Sequence, residues 1–165
     1  MVAVVVGVAL RGMREVEFAD WLPRAREDYA EDMVQNGGAD PEAARAKAMS
    51  DSELLFPGGR PSPEQLVLVI EADGERVGEL WLAVRDGGLR RVLFVWNVRV
   101  DVPHRGRGFG RQAMLLAEAE ARRRGLTHIG LNVMGGNQTA RKLYRSLGYA
   151  ETFVSMEKAV TRAAD

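Results

Sequence analysis

The chain changes its rhythm at residue 100, and that change constrains the fold more than any other feature. Upstream lie three strand-like runs, Leu66–Glu71, Arg76–Val84 and Arg90–Val100. An Asp-Gly turn (Ala72-Asp73-Gly74-Glu75) separates the first two, and Asp86-Gly87-Gly88 separates the second and third. In the middle run Leu80, Leu82 and Val84 share one face, and Glu79, Trp81 and Ala83 share the other. This reads as an antiparallel meander. Downstream, a glycine-rich loop, Arg105–Gly110, leads into a helix near Arg111–Arg124, with Gly125 placed to cap its C-terminus. A strand at His128–Val133, a helix at Gln138–Leu147 and a last strand at Thr152–Glu157 follow.

Before the meander, Met1–Leu10 is a valine-rich apolar run. No positive region precedes it, and it falls short of the ~20 residues of a membrane span, so it reads as a first strand rather than a signal or anchor. This predicts a cytoplasmic protein, in which the Asn137-Gln138-Thr139 sequon carries no sugar. Phe18, Trp21, Leu22, Ala25, Tyr29 and Met33 recur at helical spacing. Asp20 as N-cap would place Pro23 in the first turn, where proline is tolerated. Asn36-Gly37-Gly38 ends that helix, Asp40-Pro41 opens a second that runs to about Leu55, and Phe56-Pro57-Gly58-Gly59 breaks it. The order is β-α-α-β-β-β-α-β-α-β, a mixed α/β layer structure. With 165 residues, 46% of them apolar, and no repeat or long linker, it forms one domain over 1–165.

Charge and composition exclude several functions. Twenty-three basic residues balance 23 acidic ones, which argues against bulk electrostatic binding to nucleic acid or membrane. Arg122-Arg123-Arg124 alone does not make a DNA-binding surface. The chain has no cysteine, so disulfides, thiolate metal sites and a cysteine acyl-enzyme are excluded. With only His104 and His128, a multi-histidine metal site is not expected either. Charge is uneven along the chain: 7 basic against 11 acidic side chains through residue 60, and 16 against 12 beyond it.

The loop His104-Arg105-Gly106-Arg107-Gly108-Phe109-Gly110 stands between a strand and a helix. Glycines let backbone approach a ligand closely, and a helix N-terminus offers unpaired N–H groups and a positive dipole end. Such a site holds phosphate, with Arg105 and Arg107 as added donors. On the loop alone, a tight turn with solvated arginines explains the residues equally well. The nucleotide P-loop pattern is absent, and Arg111 stands where the dinucleotide fingerprint needs its last glycine.

Arg105-x-x-Gly108-x-Gly110 after Val98-Arg99-Val100 resembles the coenzyme A loop of the GNAT-type N-acetyltransferases. Leu131-Asn132-Val133 followed by Asn137-x-x-Ala140-x-x-Leu143-Tyr144-x-x-x-Gly148-Tyr149 is similar to that family's second motif, in the right order and context. The specific resemblance covers about 92–158, and the helix pair at 18–55 fits more loosely. The whole is similar to a bacterial subgroup with a like N-terminal helix pair. The resemblance implies an α/β (α+β) fold with a mixed, mostly antiparallel central sheet, splayed central strands and helices on both faces.

The resemblance also implies acetyl-CoA as co-substrate, with no metal. Val98, Arg99 and Val100 match the strand whose backbone holds pantetheine. Backbone amides from Arg105 through Gly106, Arg107, Gly108, Phe109 and Gly110 match the pyrophosphate cradle, which Arg105, Arg107 and Arg111 could also reach. Asn137 matches an asparagine that contacts the cofactor, and it is equally placed to cap a helix. Tyr144 matches the tyrosine near the cofactor sulfur. A phenol of pKa ~10 can protonate a departing thiolate of pKa ~8.5.

The amine, with pKa ~10.4 for a lysine-like group, must also lose a proton. The family often has a carboxylate near Trp96-Asn97, but here Asn97 stands there and no Asp or Glu lies between Arg90 and Val100. Glu79, Asp101 and His104 are alternatives, with Glu79 read as a surface charge and a water relay as the default base. Glu15–Asp32 carries seven acidic residues against Arg24 and Arg26, which suits a cationic amine acceptor as well as a solvated helix. Trp21, Tyr29 and Trp81 either line the acceptor pocket or pack the core. The implied partners are acetyl-CoA and an amine, on a small molecule or a protein, and the family's habit of dimerising allows a homodimer. Asn97 keeps a second reading open, a non-catalytic acyl-CoA-binding sensor of the same fold.

Overall fold

The computed structural model describes residues 7–86, 88–158 and 160. Among these, five strands form one sheet in chain order: β1 (Val8–Gly12), β2 (Gln65–Ala72), β3 (Glu75–Asp86), β4 (Arg91–Val100) and β5 (Ile129–Leu131). β1 through β4 pair antiparallel, and β4 pairs with β5 in parallel. Helices α1 (Glu15–Gly37) and α2 (Pro41–Leu55) precede β2, α3 (Phe109–Arg123) joins β4 to β5, and α4 (Gln138–Ser146) follows β5. The first six residues of the apolar N-terminal run lie outside the described residues.

The alternation in β3 sorts the layers as its sequence requires. Leu80 and Leu82 face α3, whose Phe109, Ala113, Met114, Ala117 and Ala121 complete the larger core. Trp81 faces α1 and packs with Phe18, Trp21, Leu22 and Phe56. There Trp21 and Phe56 are fully buried, with ring centroids 5.7 Å apart in an edge-to-face arrangement. Burying two such side chains stabilises by roughly 2–3 kcal/mol each.

α1 begins at Glu15 rather than after Asp20, which leaves Pro23 inside the helix. Two things favour the earlier start. Glu17 closes a capping box by accepting the Arg14 N–H at 2.8 Å, and it also receives Arg11 of β1 at 2.8 Å. Phe18, on the added turn, is buried. Proline costs about 3 kcal/mol in a helix interior, less where water reaches the carbonyl it leaves unpaired, and both Ala19 and Pro23 are exposed. The second helix starts as read, with Asp40 Oδ2 accepting the Ala43 N–H at 3.0 Å and Pro41 at the first position.

The predicted last strand, Thr152–Glu157, is absent: residues 150–158 take no regular structure. Its apolar residues stay in solvent, with Phe153 86% and Met156 90% exposed. Alternation in sequence supplies a strand only where a partner edge and a core receive it, and this segment joins no sheet and stays exposed.

Candidate active site

β4 carries an extra residue at Trp96. Trp81 of β3 faces Asn97, but its neighbour Leu82 faces Val95, so Trp96 is bulged. Trp96 stacks on Trp81 at 5.4 Å, and its indole N–H is buried without a partner. Pairing between β4 and β5 ends at Val95–Leu131. From there the β5-facing edge of Trp96–Val100 has no strand beside it, and a cleft of about 730 Å³ opens between β4, the segment after β5, α4 and α1.

α3 begins at one end of this opening. Gly108 is its N-cap at φ +86° and supplies no side chain to cap the helix. Gln112 donates to Gly108 O at 3.1 Å, which leaves the amides of Phe109, Gly110 and Arg111 free of helical acceptors. Gly106 also has a positive φ, +74°, and a Cβ on either Gly106 or Gly108 would meet nothing within 4 Å. The result is a glycine-lined helix start with free N–H groups and the positive end of the helix dipole, the chemistry that suits phosphate.

The arginines divide. Arg105 lines the cleft and donates from Nε to Val100 O at 3.0 Å. Arg107 lies over the Phe109 ring at 5.0 Å and stays exposed. Arg111 reaches across to α4 and bonds Ser146 Oγ at 2.5 Å. Val98, Arg99, Asn137 and Tyr144 line the cleft, whereas Val100 and Gly106–Arg111 stand beyond its lining, around the α3 N-terminus.

Asn137 caps α4, accepting the Ala140 N–H at 3.1 Å while it lines the cleft. Both roles read from the sequence are therefore sterically compatible. Tyr144 projects from the second turn of α4. Burial first, then the charge of Asp32, pushes its pKa up to about 12, so at neutral pH it is a proton donor.

Glu79 is not a surface charge. It is 1% exposed, accepts Trp21 Nε1–H at 3.0 Å and Arg76 at 2.6 Å, and has Arg24 and Arg99 at 3.8 and 4.0 Å. It is absent from the cleft lining, so as a base it lacks access. The reason is α1, which covers the face of β3 that carries Glu79, and no periodicity within β3 reports that cover. Asp101 is held by Arg76 and Arg99 at 3.4 and 3.2 Å. His104 likewise lies outside the cleft. Of the three aromatics, Trp21 belongs to the core, and Tyr29 and Trp81 reach the cleft.

Two cleft residues, Asp32 and Asn36, were not singled out by motif. Asn36 Nδ2 donates to Asp32 Oδ1 at 2.7 Å. The signal for them is the spacing Asp28, Asp32, Asn36, which puts all three on one face of α1. That face is fixed to the segment leading into α4. Gly136 N–H donates to Asn36 O at 3.1 Å, and a Cβ on Gly136 would lie 2.8 Å from the same oxygen.

Comparison with known proteins gives a consistent result. The acetyltransferase (GNAT) family matches residues 20–149. The chain is 31% identical to the uncharacterized N-acetyltransferase YycN of Bacillus subtilis (strain 168) over 152 residues, 92% of this chain and 97% of that one. The crystal structure of YycN superimposes with a TM-score of 0.86 at 30% identity, covering 94% of this chain and all of the other. An aminoglycoside N-acetyltransferase, AAC(6')-Iy, solved in complex with CoA, shares the fold with a TM-score of 0.59 at 18% identity, over 97% of this chain and 99% of that one. Parted central strands, a glycine-lined helix start and a tyrosine-bearing last helix thus accompany a match across most of the sequence, and this chain belongs to the GNAT family of acetyltransferases.

Proposed function

We propose that the protein transfers an acetyl group from acetyl-CoA to a primary amine by direct attack within a ternary complex. The observation that supports this best is the cleft that runs from Arg105, just before α3, to Tyr144, beside the unpaired edge of β4. The free amides at Phe109–Arg111, with Arg107 nearby, would hold the pyrophosphate. The β4 edge at Val98–Val100 would hold pantetheine, and Asn137 would contact it from α4. A thioester supplies the activated acetyl group, and the rest falls to the chain.

The chemistry balances in one exchange. The amine nitrogen bonds to the acetyl carbon and the carbon–sulfur bond breaks. Backbone N–H groups of β4 face the carbonyl oxygen as charge develops there. Tyr144 gives its phenolic proton to the leaving thiolate, and the proton shed by the amine leaves through water. Two substrates held side by side remove much of the entropic barrier.

The test is calorimetric titration with acetyl-CoA, followed by a thiol-release assay over a panel of primary amines. Saturable binding with amine-dependent thiol release supports the reading, and no binding at millimolar acetyl-CoA ends it. Binding without release from any amine favours the acyl-CoA sensor instead.

A further inference from the structure

Four carboxylates line the α1 and α2 side of the cleft, and they are not equivalent. Asp28 faces Arg99 Nε at 3.2 Å, and Asp51 faces Lys47 at 2.9 Å. Glu31 is exposed. Asp32 is partly buried, and among the described residues no basic side chain lies within 4.0 Å of it. Its partner is the Asn36 amide, which orients the carboxylate and leaves its charge uncompensated. Asp32 and Tyr144 line the same cleft. The Gly136–Asn36 bond fixes this turn of α1 to the approach to α4, so the spacing does not depend on a loop.

We propose that Asp32 seats the ammonium group of the acceptor opposite Tyr144 and receives, directly or through one water, the proton that the amine sheds. The inference rests on the acetyl-transfer reading above. It assigns that reaction an acceptor that arrives as a cation, and it ends the proton's path on a named atom, a carboxylate oxygen of Asp32. Asp32 first takes one proton from the ammonium, which frees the nitrogen lone pair to attack the acetyl carbon. As the C–S bond breaks, the nitrogen sheds its second proton through water to solvent. Tyr144 protonates the sulfur and regains a proton from solvent, and Asp32 releases its own. Tyr144 acts on the sulfur side and Asp32 on the nitrogen side, so one donor and one acceptor flank the reacting carbon. The other charged or titratable groups facing this space are Arg26, Arg99, Arg105, Asp51, Asp28, Tyr29 and Glu31.

The experiment compares the parent protein with Asp32→Asn and Asp32→Glu. Probes are acetyl-CoA and a fixed amine panel: n-butylamine, 1,4-diaminobutane, spermidine and glycinamide. For Asp32→Asn the proposal expects unchanged acetyl-CoA affinity and melting temperature. It expects kcat/KM to fall about 100-fold at pH 7.5, within the range for loss of an acid–base group. The gap should narrow toward pH 10, where more amine is already free base, and Asp32→Glu should recover part of the loss. Parent kcat/KM in Asp32→Asn overturns the seat while acetyl transfer stands. A loss that is the same at both pH values, or one matched by weaker acetyl-CoA binding, overturns it as well, since a purely structural role predicts those. If the parent protein releases thiol with none of the amines, the acetyl-transfer reading falls first and the seat falls with it.

Discussion

The two walls of the cleft are built from different materials. The wall formed by β4, the loop after it and the start of α3 is backbone: an unpaired strand edge, amides without acceptors and glycines at positive φ. The wall formed by α1 and α2 is side chains: Asp28, Tyr29, Asp32 and Asn36, held by ion pairs and hydrogen bonds. Under the proposed function, the backbone wall would meet what every acyl-CoA shares, and the side-chain wall, which changes with single substitutions, would set acceptor choice. The comparison makes separable predictions, since damage to one wall should spare the ligand of the other.

Tyr144 stands where the walls meet, and its removal has the largest effect. Tyr144→Phe should lower kcat about 100-fold or more while acetyl-CoA still binds with parental affinity by calorimetry. Equal turnover would remove the general acid from the mechanism. The raised pKa adds a pH signature: the donor form persists across pH 6–10, so the parent enzyme should show no loss of kcat from tyrosine ionisation below about 12.

Glu79→Gln attacks what holds the α1 wall against the sheet. It removes the charge that Arg76 pairs with and weakens the bond from Trp21 at a fully buried site. A loss of about 2–3 kcal/mol in chemical denaturation is expected, at the low end for a broken buried pair because the arginines are partly exposed. Acetyl-CoA affinity should not follow. If it falls in step with stability, the walls are coupled and the comparison fails.

Gly108→Ala tests the backbone wall. At φ +86° an L residue is strained by about 1–2 kcal/mol, and relaxing it turns the first amides of α3. Acetyl-CoA should bind about tenfold more weakly, with KM for the amine unchanged. An effect on the amine alone would place the cofactor elsewhere.

The smallest effect belongs to Glu17, remote from the cleft. Hydrogen bonds from Arg11 and Arg14 hold its carboxyl well below the usual range. A group depressed in the folded state stabilises above its unfolded pKa, ~4.3, and loses that contribution as pH falls toward the folded value. Glu17→Gln should therefore lower stability by about 1 kcal/mol at pH 7. Melting curves should show the gap closing between pH 4 and pH 2. A gap independent of pH would mean the pair acts through packing rather than charge.

The backbone wall was legible because its signals are local. Glycines at 106, 108 and 110, a following helix and the Asn137–Tyr144 spacing each report geometry within a few residues of themselves. The start of α1 was less so, since Arg14 and Glu17 make a cap without the usual Ser, Thr, Asp or Asn, and buried Phe18 outweighs the proline rule. Glu79 was misread because its environment comes from Trp21 and Arg24, more than fifty residues away. Thr152–Glu157 has the alternation of a strand, but it pairs with no strand and leaves Phe153 and Met156 exposed.

Taken alone, the amino-acid order determined most of the elements, the two faces of β3 and the glycine-rich loop before α3, because periodicity and backbone freedom act over short stretches of chain. Only the tertiary structure decided which carboxylates meet the cleft, which are consumed in ion pairs, and that Asp32 shares its space with Tyr144. Those outcomes depend on how α1 docks across the gap between β4 and β5, and docking is set by the packing of many distant side chains together.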